Sequence, residues 1–237
     1  MKNKWLALSA VMLTYSFAFL TRYIYSPMMS VMSADLSIGS ARAGLLMTGF
    51  MAGYIIMQLP GGLLADRLTV KHILVADLLI SGIGTWLLSS TGSFVGALVL
   101  RITVGLACGS VYSCCSKVVS HYFREKELSI AMGILLATGP AGIMLANSAG
   151  EACVSAFGWR RTFALTALVS ALAMVMIILF VEPFRSGKQS TSLSALAEGI
   201  KEYVSDSQQL ILGMSGFMLM FETVGFAHWT NVYLEEA

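Results

Sequence analysis

The sequence predicts an all-α membrane protein, a bundle of helices that cross the bilayer. Of the 237 residues, 57% are hydrophobic and 12% are charged, whereas ordinary soluble domains are about 25% charged. The mean hydropathy is +0.76. The apolar residues are gathered into long runs that short polar segments separate. Such a chain lacks the polar residues that a water-exposed surface requires.

Each apolar run is long enough for one helix to cross the membrane. A helix needs about 20 apolar residues to cross about 30 Å of hydrocarbon, whereas a strand needs about 10 residues of alternating character. Helices also satisfy their backbone groups within the segment, which the bilayer core demands. The predicted spans are 5–26, 43–64, 72–90, 94–118, 129–150, 162–182 and 209–230.

The first run has an alternative interpretation as a secretory signal peptide, because MKNK precedes WLALSAVMLTYSFAFL. Its apolar part is longer than the usual 7–15 residues and no small-residue cleavage site closes it. Six further spans follow it, which favours a first transmembrane helix.

The spans group into three parts. Residues 1–183 hold six spans and form the predicted N-terminal domain. Residues 184–208 are a polar linker, and residues 209–237 hold one more span. The linker contains a mixed-periodicity stretch, SLSALAEGIKEYV, which could lie on the membrane surface as a short helix.

The distribution of Lys and Arg predicts a cytoplasmic N-terminus, because inner loops carry an excess of these residues. With that orientation ten basic residues lie inside and three lie outside. The inner ten are Lys2, Lys4, Arg67, Lys71, Lys117, Arg124, Lys126, Arg185, Lys188 and Lys201, and the outer three are Arg42, Arg160 and Arg161.

The segment GGLLADRLTVKH, between the second and third spans, gathers four ionisable residues in an apolar chain. It resembles the signature loop of the major facilitator superfamily, G-x-L-a-D-R-x-G-R-K. Thr69 and Val70 depart from that pattern. LRITVGLACGS in span four and FGWRRTF before span six resemble two further motifs of the family.

The resemblance implies a twelve-helix fold in two halves with a substrate cavity between them. This chain then corresponds to one half, the linker and the first helix of the other half. We therefore expect either a fragment or a truncated product, whose missing C-terminal helices or a second chain would complete the cavity.

The resemblance also implies a cytoplasmic gate, which we call the gate cluster and define as Gly62, Asp66, Arg67 and Lys71. In the family this loop closes against helix eleven. Gly62 would allow close approach of another helix, and Asp66 could accept hydrogen bonds at a helix N-terminus. Asp77 is a candidate partner of the cluster. The alternative is plain anchoring of the basic residues at the inner headgroups.

Arg22 is the first candidate substrate-binding residue. It lies late in span one on the same face as Tyr15 and Phe19. Arg22 with Pro27 is similar to a pattern in organic-anion carriers of the family. The alternative is that Arg22 extends to the outer headgroups.

Two further charged residues lie within spans, where each is costly and suggests a function. Arg101 in span four predicts a bound anion, a buried acidic partner or a role in proton coupling, with a structural ion pair as the alternative. Glu222 in span seven could carry a coupled proton if burial raises its pKa. The alternative is an interhelical hydrogen bond from a protonated Glu222.

Small residues predict where helices pack closely. Gly105 and Gly109 match the span-four motif, and Gly139, Pro140 and Gly142 predict a kinked, closely packed span five. TGPAG also resembles the motif of the family's drug antiporters, but Ile143 breaks it.

No pattern predicts an enzyme, a cofactor or a metal site. The four cysteines include no C-x-x-C pair, and they are interpreted as packing residues. No basic patch with aromatic residues indicates nucleic-acid binding.

The leading hypothesis is a secondary transporter of a small organic anion, coupled to a proton or a counter-anion, in a prokaryotic plasma membrane. One alternative is a proton-coupled drug exporter. The other is a seven-helix membrane protein that transports nothing.

Overall fold

Seven helices make up the N-terminal part of the computed structural model, which describes residues 3–185 and 205–219. They are α1 (Lys4–Tyr23), α2 (Tyr25–Asp35), α3 (Ser40–Arg67), α4 (Val70–Leu88), α5 (Phe94–Gly109), α6 (Val111–Tyr122) and α7 (Glu125–Phe180).

Side-chain caps define two of the helix starts. The Asn3 side chain accepts a hydrogen bond from the Trp5 N–H at 3.1 Å, and the Ser93 hydroxyl accepts one from the Gly96 N–H at 3.1 Å. Each cap satisfies a backbone donor that the first turn of a helix leaves without a partner.

Five helical stretches of the described residues are long and apolar enough to cross a membrane. The first joins α1 and α2, and the fourth joins α5 and α6. The predicted span 5–26 therefore continues to Asp35, with Pro27 in the first turn of α2, where a missing N–H costs little. The predicted span 94–118 continues to Tyr122.

The fifth stretch, α7, accounts for the two predicted spans 129–150 and 162–182. A straight helix of its 56 residues would be about 84 Å long, far more than the bilayer core. Gly158 interrupts it with φ 76° and ψ 164°, a conformation that glycine adopts without strain. Near the start of α7, Glu127 forms an ion pair with Lys4. Just after its end, the Glu182 N–H donates a hydrogen bond to the Tyr122 hydroxyl. Both ends of α7 therefore lie at the same end of the bundle.

Glycines bring α3 and α5 into backbone contact. A Cβ atom on Gly105 would lie 2.1 Å from the Phe50 carbonyl oxygen, and one on Gly53 would lie 2.2 Å from the Ile102 carbonyl oxygen. At Gly109 the nearest atoms, 2.7 Å away, belong to Tyr54 and Met57. Small residues permit this approach in membrane bundles.

The first segment of α7 packs on α1 around Pro140. A Cβ atom on Gly142 would lie 2.7 Å from the Ser16 carbonyl oxygen, and one on Gly139 would lie 3.1 Å from the Phe19 ring. The Ser16 hydroxyl donates to the Thr138 carbonyl oxygen at 3.0 Å. The helix continues on both sides of Pro140, and the departure from helical angles within α7 lies at Gly158.

Two apolar clusters fill the bundle at its two ends. One includes Val11, Leu74 and Val118, and the other includes Met28, Leu46 and Phe163. We call the first the Asp66 end of the bundle and the second the Asp35 end, after a charged residue at each.

The chain divides into two compact units, residues 1–189 and 190–237. Of the second unit, residues 207–219 are helical, and the Asp206 carboxylate accepts a hydrogen bond from the Gln208 N–H at 2.9 Å. Most of the predicted linker 184–208 and the second half of the predicted span 209–230 lie outside the described residues.

Candidate functional site

Arg22 lies in an aromatic hollow on the bundle. The hollow is formed by α1, α3, α5 and α6, and its lining includes Tyr15, Phe19, Tyr54 and Tyr112. The guanidinium carbon lies 5.0 Å from the centre of the Tyr23 ring and 5.5 Å from that of Tyr54. Both distances are within the range of a cation–π contact.

One hydrogen-bond donor of the Arg22 guanidinium, the Nε–H group, is unused within the described part of the chain. Its Nε is buried and has no hydrogen-bond partner among the described residues. A buried donor without a partner is costly, and an anionic oxygen would satisfy it with a charge-assisted bond. Arg22 is therefore the residue of the hollow that an anion would contact.

Neighbouring rings give the hollow a defined shape. Tyr15 and Phe19 meet edge to face with centroids 5.0 Å apart, and Tyr15 lies 5.7 Å from Tyr112. Such contacts hold aromatic side chains in fixed positions. The hollow therefore places one cation beside apolar ring faces.

Arg101 has a different environment. Its side chain is 0% exposed. It donates to the carbonyl oxygens of Thr21 and Leu46, both at 3.2 Å. Both acceptors are backbone carbonyl groups, whereas the sequence suggested a bound anion or an acidic side chain as the partner of Arg101.

Aromatic rings complete the Arg101 site. The guanidinium carbon lies 4.8 Å from the centre of the Tyr25 ring and 4.7 Å from that of Phe50. The Tyr25 hydroxyl donates to the Ala43 carbonyl oxygen at 2.8 Å. Arg101 therefore joins α1, α2 and α3 to α5, and its predicted role in binding stays a prediction.

The gate cluster contains an ion pair that the sequence interpretation missed. The Lys117 ammonium lies 2.7 Å from the Asp66 carboxylate and donates to the Gly62 carbonyl oxygen at 3.3 Å. The sequence interpretation counted Lys117 only among the ten inner basic residues that predict the orientation. The pair joins the end of α3 to α6.

The close contact expected at Gly62 lies one residue earlier. A Cβ atom on Gly61 would lie 2.6 Å from the Ser110 side chain, whereas at Gly62 the nearest atom is 4.0 Å away. Gly61 therefore provides the close approach, and Gly62 contributes its carbonyl group to Lys117.

Asp77 contacts Ser110 rather than the gate cluster. Its carboxylate is buried, with 6% of the residue exposed, and accepts a short hydrogen bond from the Ser110 hydroxyl. Ser110 is the residue between α5 and α6. Asp77 therefore stabilises the break in the fourth span.

The segment GGLLADRLTVKH, which we call the gate loop, is bonded to the end of α7 and to the segment that follows it. The Lys71 ammonium donates to the Ile178 carbonyl oxygen at 2.7 Å. Thr69 and Arg185 form an isolated antiparallel bridge. The His121 and Phe184 rings stack with centroids 4.0 Å apart. We call residues 181–185 the strap, because they hold the loop.

The Asp35 end has a polar cluster of its own, which sequence reasoning also missed. Arg160 lies 2.8 Å from the Asp35 carboxylate and donates to the Thr91 carbonyl oxygen at 2.8 Å. The Trp159 indole donates to Asp35 at 3.2 Å. The W-R pair of FGWRRTF was the available signal, but nothing in the pattern identified Asp35.

Glu222 lies outside the described residues. Among the described residues no group of three His, Cys, Asp or Glu side chains could hold a metal ion. The four cysteines are free thiols, and Cys108, Cys114 and Cys115 are buried.

Comparison with known proteins places these features in a family. Residues 11–237 match the family model of the Major Facilitator Superfamily. A bacterial homologue of the human lysosomal transporter Spinster, crystallised inward-facing and unoccupied, superposes with a TM-score of 0.72. That match has 20% identity and covers 86% of this chain and 49% of the solved one.

Curated relatives include three transporters named for organic anions. A probable sulfoacetate transporter of Cupriavidus necator is 26% identical over 71% of this chain and 39% of its own length. The cis,cis-muconate transport protein of Acinetobacter baylyi is 25% identical over 85% and 51%. The hexuronate transporter of Bacillus subtilis is 23% identical over 68% and 39%.

This chain thus spans between 39% and 51% of the length of these relatives. The predicted resemblance and the all-α membrane fold are confirmed by the family match and the structural likeness. The chain belongs to the major facilitator superfamily, a family of multi-pass membrane transporters rather than of enzymes.

Proposed function

We propose that this protein forms part of a secondary transporter that moves a small organic anion by alternating access. The observation that carries the proposal is the buried Arg22 Nε, which has no hydrogen-bond partner among the described residues. The names of the sulfoacetate, muconate and hexuronate relatives support the same substrate class.

A carboxylate or sulfonate group of the substrate binds Arg22 in this proposal. The aromatic rings of the hollow contact its carbon skeleton. A second bundle of helices faces the hollow and closes the cavity, since binding sites of such transporters lie between their two halves. Further helices or a second chain would supply that bundle.

Gate and coupling roles follow from the same proposal. The Asp66 end faces the cytoplasm of a bacterial plasma membrane. There the gate cluster, with Lys117, closes the inner side, and Glu222 carries the coupled proton. The clustering of basic residues toward that end supports this orientation.

Anion binding can be tested on the chain itself. Isothermal titration with cis,cis-muconate, glucuronate and sulfoacetate should give binding by at least one of them, and Arg22→Gln should weaken it roughly tenfold or more. Arg42→Gln is the matched control, because Arg42 is an arginine over an aromatic ring, Phe94, at 5.6 Å outside the hollow.

Uptake of the same radiolabelled anion by cells that make the complete transporter tests the whole function. Arg22→Gln should abolish uptake while the protein remains in the membrane. Binding of a hydrophobic cation in place of every anion, unaffected by Arg22→Gln, would instead indicate the drug-exporter alternative.

A further inference from the structure

An apolar groove runs along the outside of the bundle between α4 and the second segment of α7. At the Asp35 end it is lined by Trp86, Phe157, Arg161 and Leu168. Toward the middle it continues between Ile83 and Ala171 and reaches Met174. Trp86 and Leu168 line both parts, so the groove is continuous.

The groove has a fixed floor. A Cβ atom on Gly82 would lie 2.0 Å from the Ser170 hydroxyl oxygen, and that hydroxyl donates to the Leu78 carbonyl oxygen at 3.2 Å. The helices are therefore held together beneath the groove.

The groove is somewhat longer than one leaflet of hydrocarbon is thick. Arg161 and Met174 are separated by roughly 20 Å of helix at 1.5 Å per residue. One leaflet of hydrocarbon is about 15 Å thick. An acyl chain whose headgroup lies at Arg161 would therefore extend along most of the groove.

The charged group of the groove lies at its rim. Arg161 is exposed, and within residues 3–185 and 205–219 no hydrogen bond, ion pair or ring contact engages its guanidinium. Its neighbour Arg160, in contrast, is paired with Asp35. Trp86 and Phe157, which are 56% and 53% exposed, lie beside Arg161, and aromatic residues of this kind favour the headgroup level of a bilayer.

We propose that this groove binds one anionic glycerophospholipid, with its phosphate on Arg161 and an acyl chain between Trp86 and Met174. The charge of Arg161 complements the phosphate, and a guanidinium can bind two phosphate oxygens at once. The apolar lining complements the chain. An anionic lipid is favoured over a zwitterionic one, because a choline group would bring a second positive charge to the rim.

Native mass spectrometry of the purified chain with added phosphatidylglycerol or phosphatidylcholine tests the site. We expect one phosphatidylglycerol to be retained, with lower occupancy by phosphatidylcholine. Arg161→Gln should lower phosphatidylglycerol occupancy roughly tenfold. Arg42→Gln, which removes an arginine that does not line the groove, should leave occupancy unchanged.

A second measurement needs no variant. Phosphatidylglycerol with a diazirine in its acyl chain should cross-link to Ile83 and Leu168 of the unmodified chain. Cross-links confined to other helices would overturn the proposal, as would equal occupancy in Arg161→Gln and the unmodified chain. A chain dimer that excludes lipid from the groove would overturn it too.

Discussion

The backbone N–H of Val70 donates a hydrogen bond to the carbonyl oxygen of Phe184 at 3.1 Å. Val70 is the first residue of α4, and Phe184 lies in the strap. The first turn of a helix leaves its N–H groups without intrahelical partners, so the strap supplies an acceptor where the gate loop ends. The gate loop is therefore hydrogen-bonded to the first residues of the predicted linker.

Removing one hydroxyl should loosen the strap. Tyr122→Phe removes the acceptor of the Glu182 N–H, which is 2.8 Å from the phenol oxygen, and a lost bond of this kind costs about 1 kcal/mol. Hydrogen exchange followed by mass spectrometry should show faster exchange in residues 181–185. Tyr112→Phe, in the aromatic hollow, is the control and should leave that exchange rate unchanged.

The Asp66–Lys117 pair should show measurable coupling. A double-mutant cycle with Asp66→Asn and Lys117→Gln isolates the pair from other effects, and we expect a coupling energy of about 1 kcal/mol in thermal unfolding. The Lys4–Glu127 pair has more exposed side chains, at 34% and 55% against 22% and 28%. A double-mutant cycle on the Lys4–Glu127 pair should give the smaller coupling energy. A larger coupling energy for Lys4–Glu127 than for Asp66–Lys117 would contradict this expectation.

Arg101 and Arg22 should respond in opposite ways to substitution. Arg101→Lys keeps the charge, but an ammonium group cannot reproduce the two hydrogen bonds that the planar guanidinium donates. The free energy of unfolding should therefore fall by about 2 kcal/mol. The remaining folded protein should bind anions as before. Arg22→Gln should leave the unfolding temperature nearly unchanged and weaken anion binding. If Arg101→Lys weakened binding without loss of stability, Arg101 would belong to the binding site.

Glycine substitutions should separate close packing from intrinsic helix propensity. Gly105→Ala places a Cβ atom 2.1 Å from the Phe50 carbonyl oxygen, so α3 and α5 must separate, and overpacking of this kind costs about 1–3 kcal/mol. Gly133→Ala is the control, because no atom lies within 4 Å of its added Cβ. That variant should be neutral or about 0.5–1 kcal/mol more stable. Thermal unfolding of both variants measures the difference.

The family and the helical membrane fold were predictable, because each rests on local sequence. Long apolar runs indicate spans wherever they occur, and the motif around Asp66 is contiguous. The break at Gly158 was harder to place, since one residue in a left-handed conformation leaves no polar loop in the sequence. The prediction left a gap from 151 to 161, whereas helical residues continue on both sides of Gly158.

The candidate site was only partly predictable, because it depends on which helices are neighbours. Arg22 and Arg101 are the same residue type in similar apolar surroundings. One lies in a hollow and the other in the interior, and helical periodicity alone could not decide between these places. Lys117 was missed as the partner of Asp66, because the two are 51 positions apart and meet only when α3 packs on α6.

The one-residue turn at Gly158 connects the two segments of α7 directly. The segment 125–157 packs on α1 behind the aromatic hollow, through Gly139 and Gly142. Near the end of the segment 159–180, the Ile178 carbonyl oxygen accepts a hydrogen bond from the Lys71 ammonium. A loop of several residues could change its length when either segment slides, whereas a connection of one residue cannot. We therefore expect a shift of the first segment along its axis to move the second segment as well.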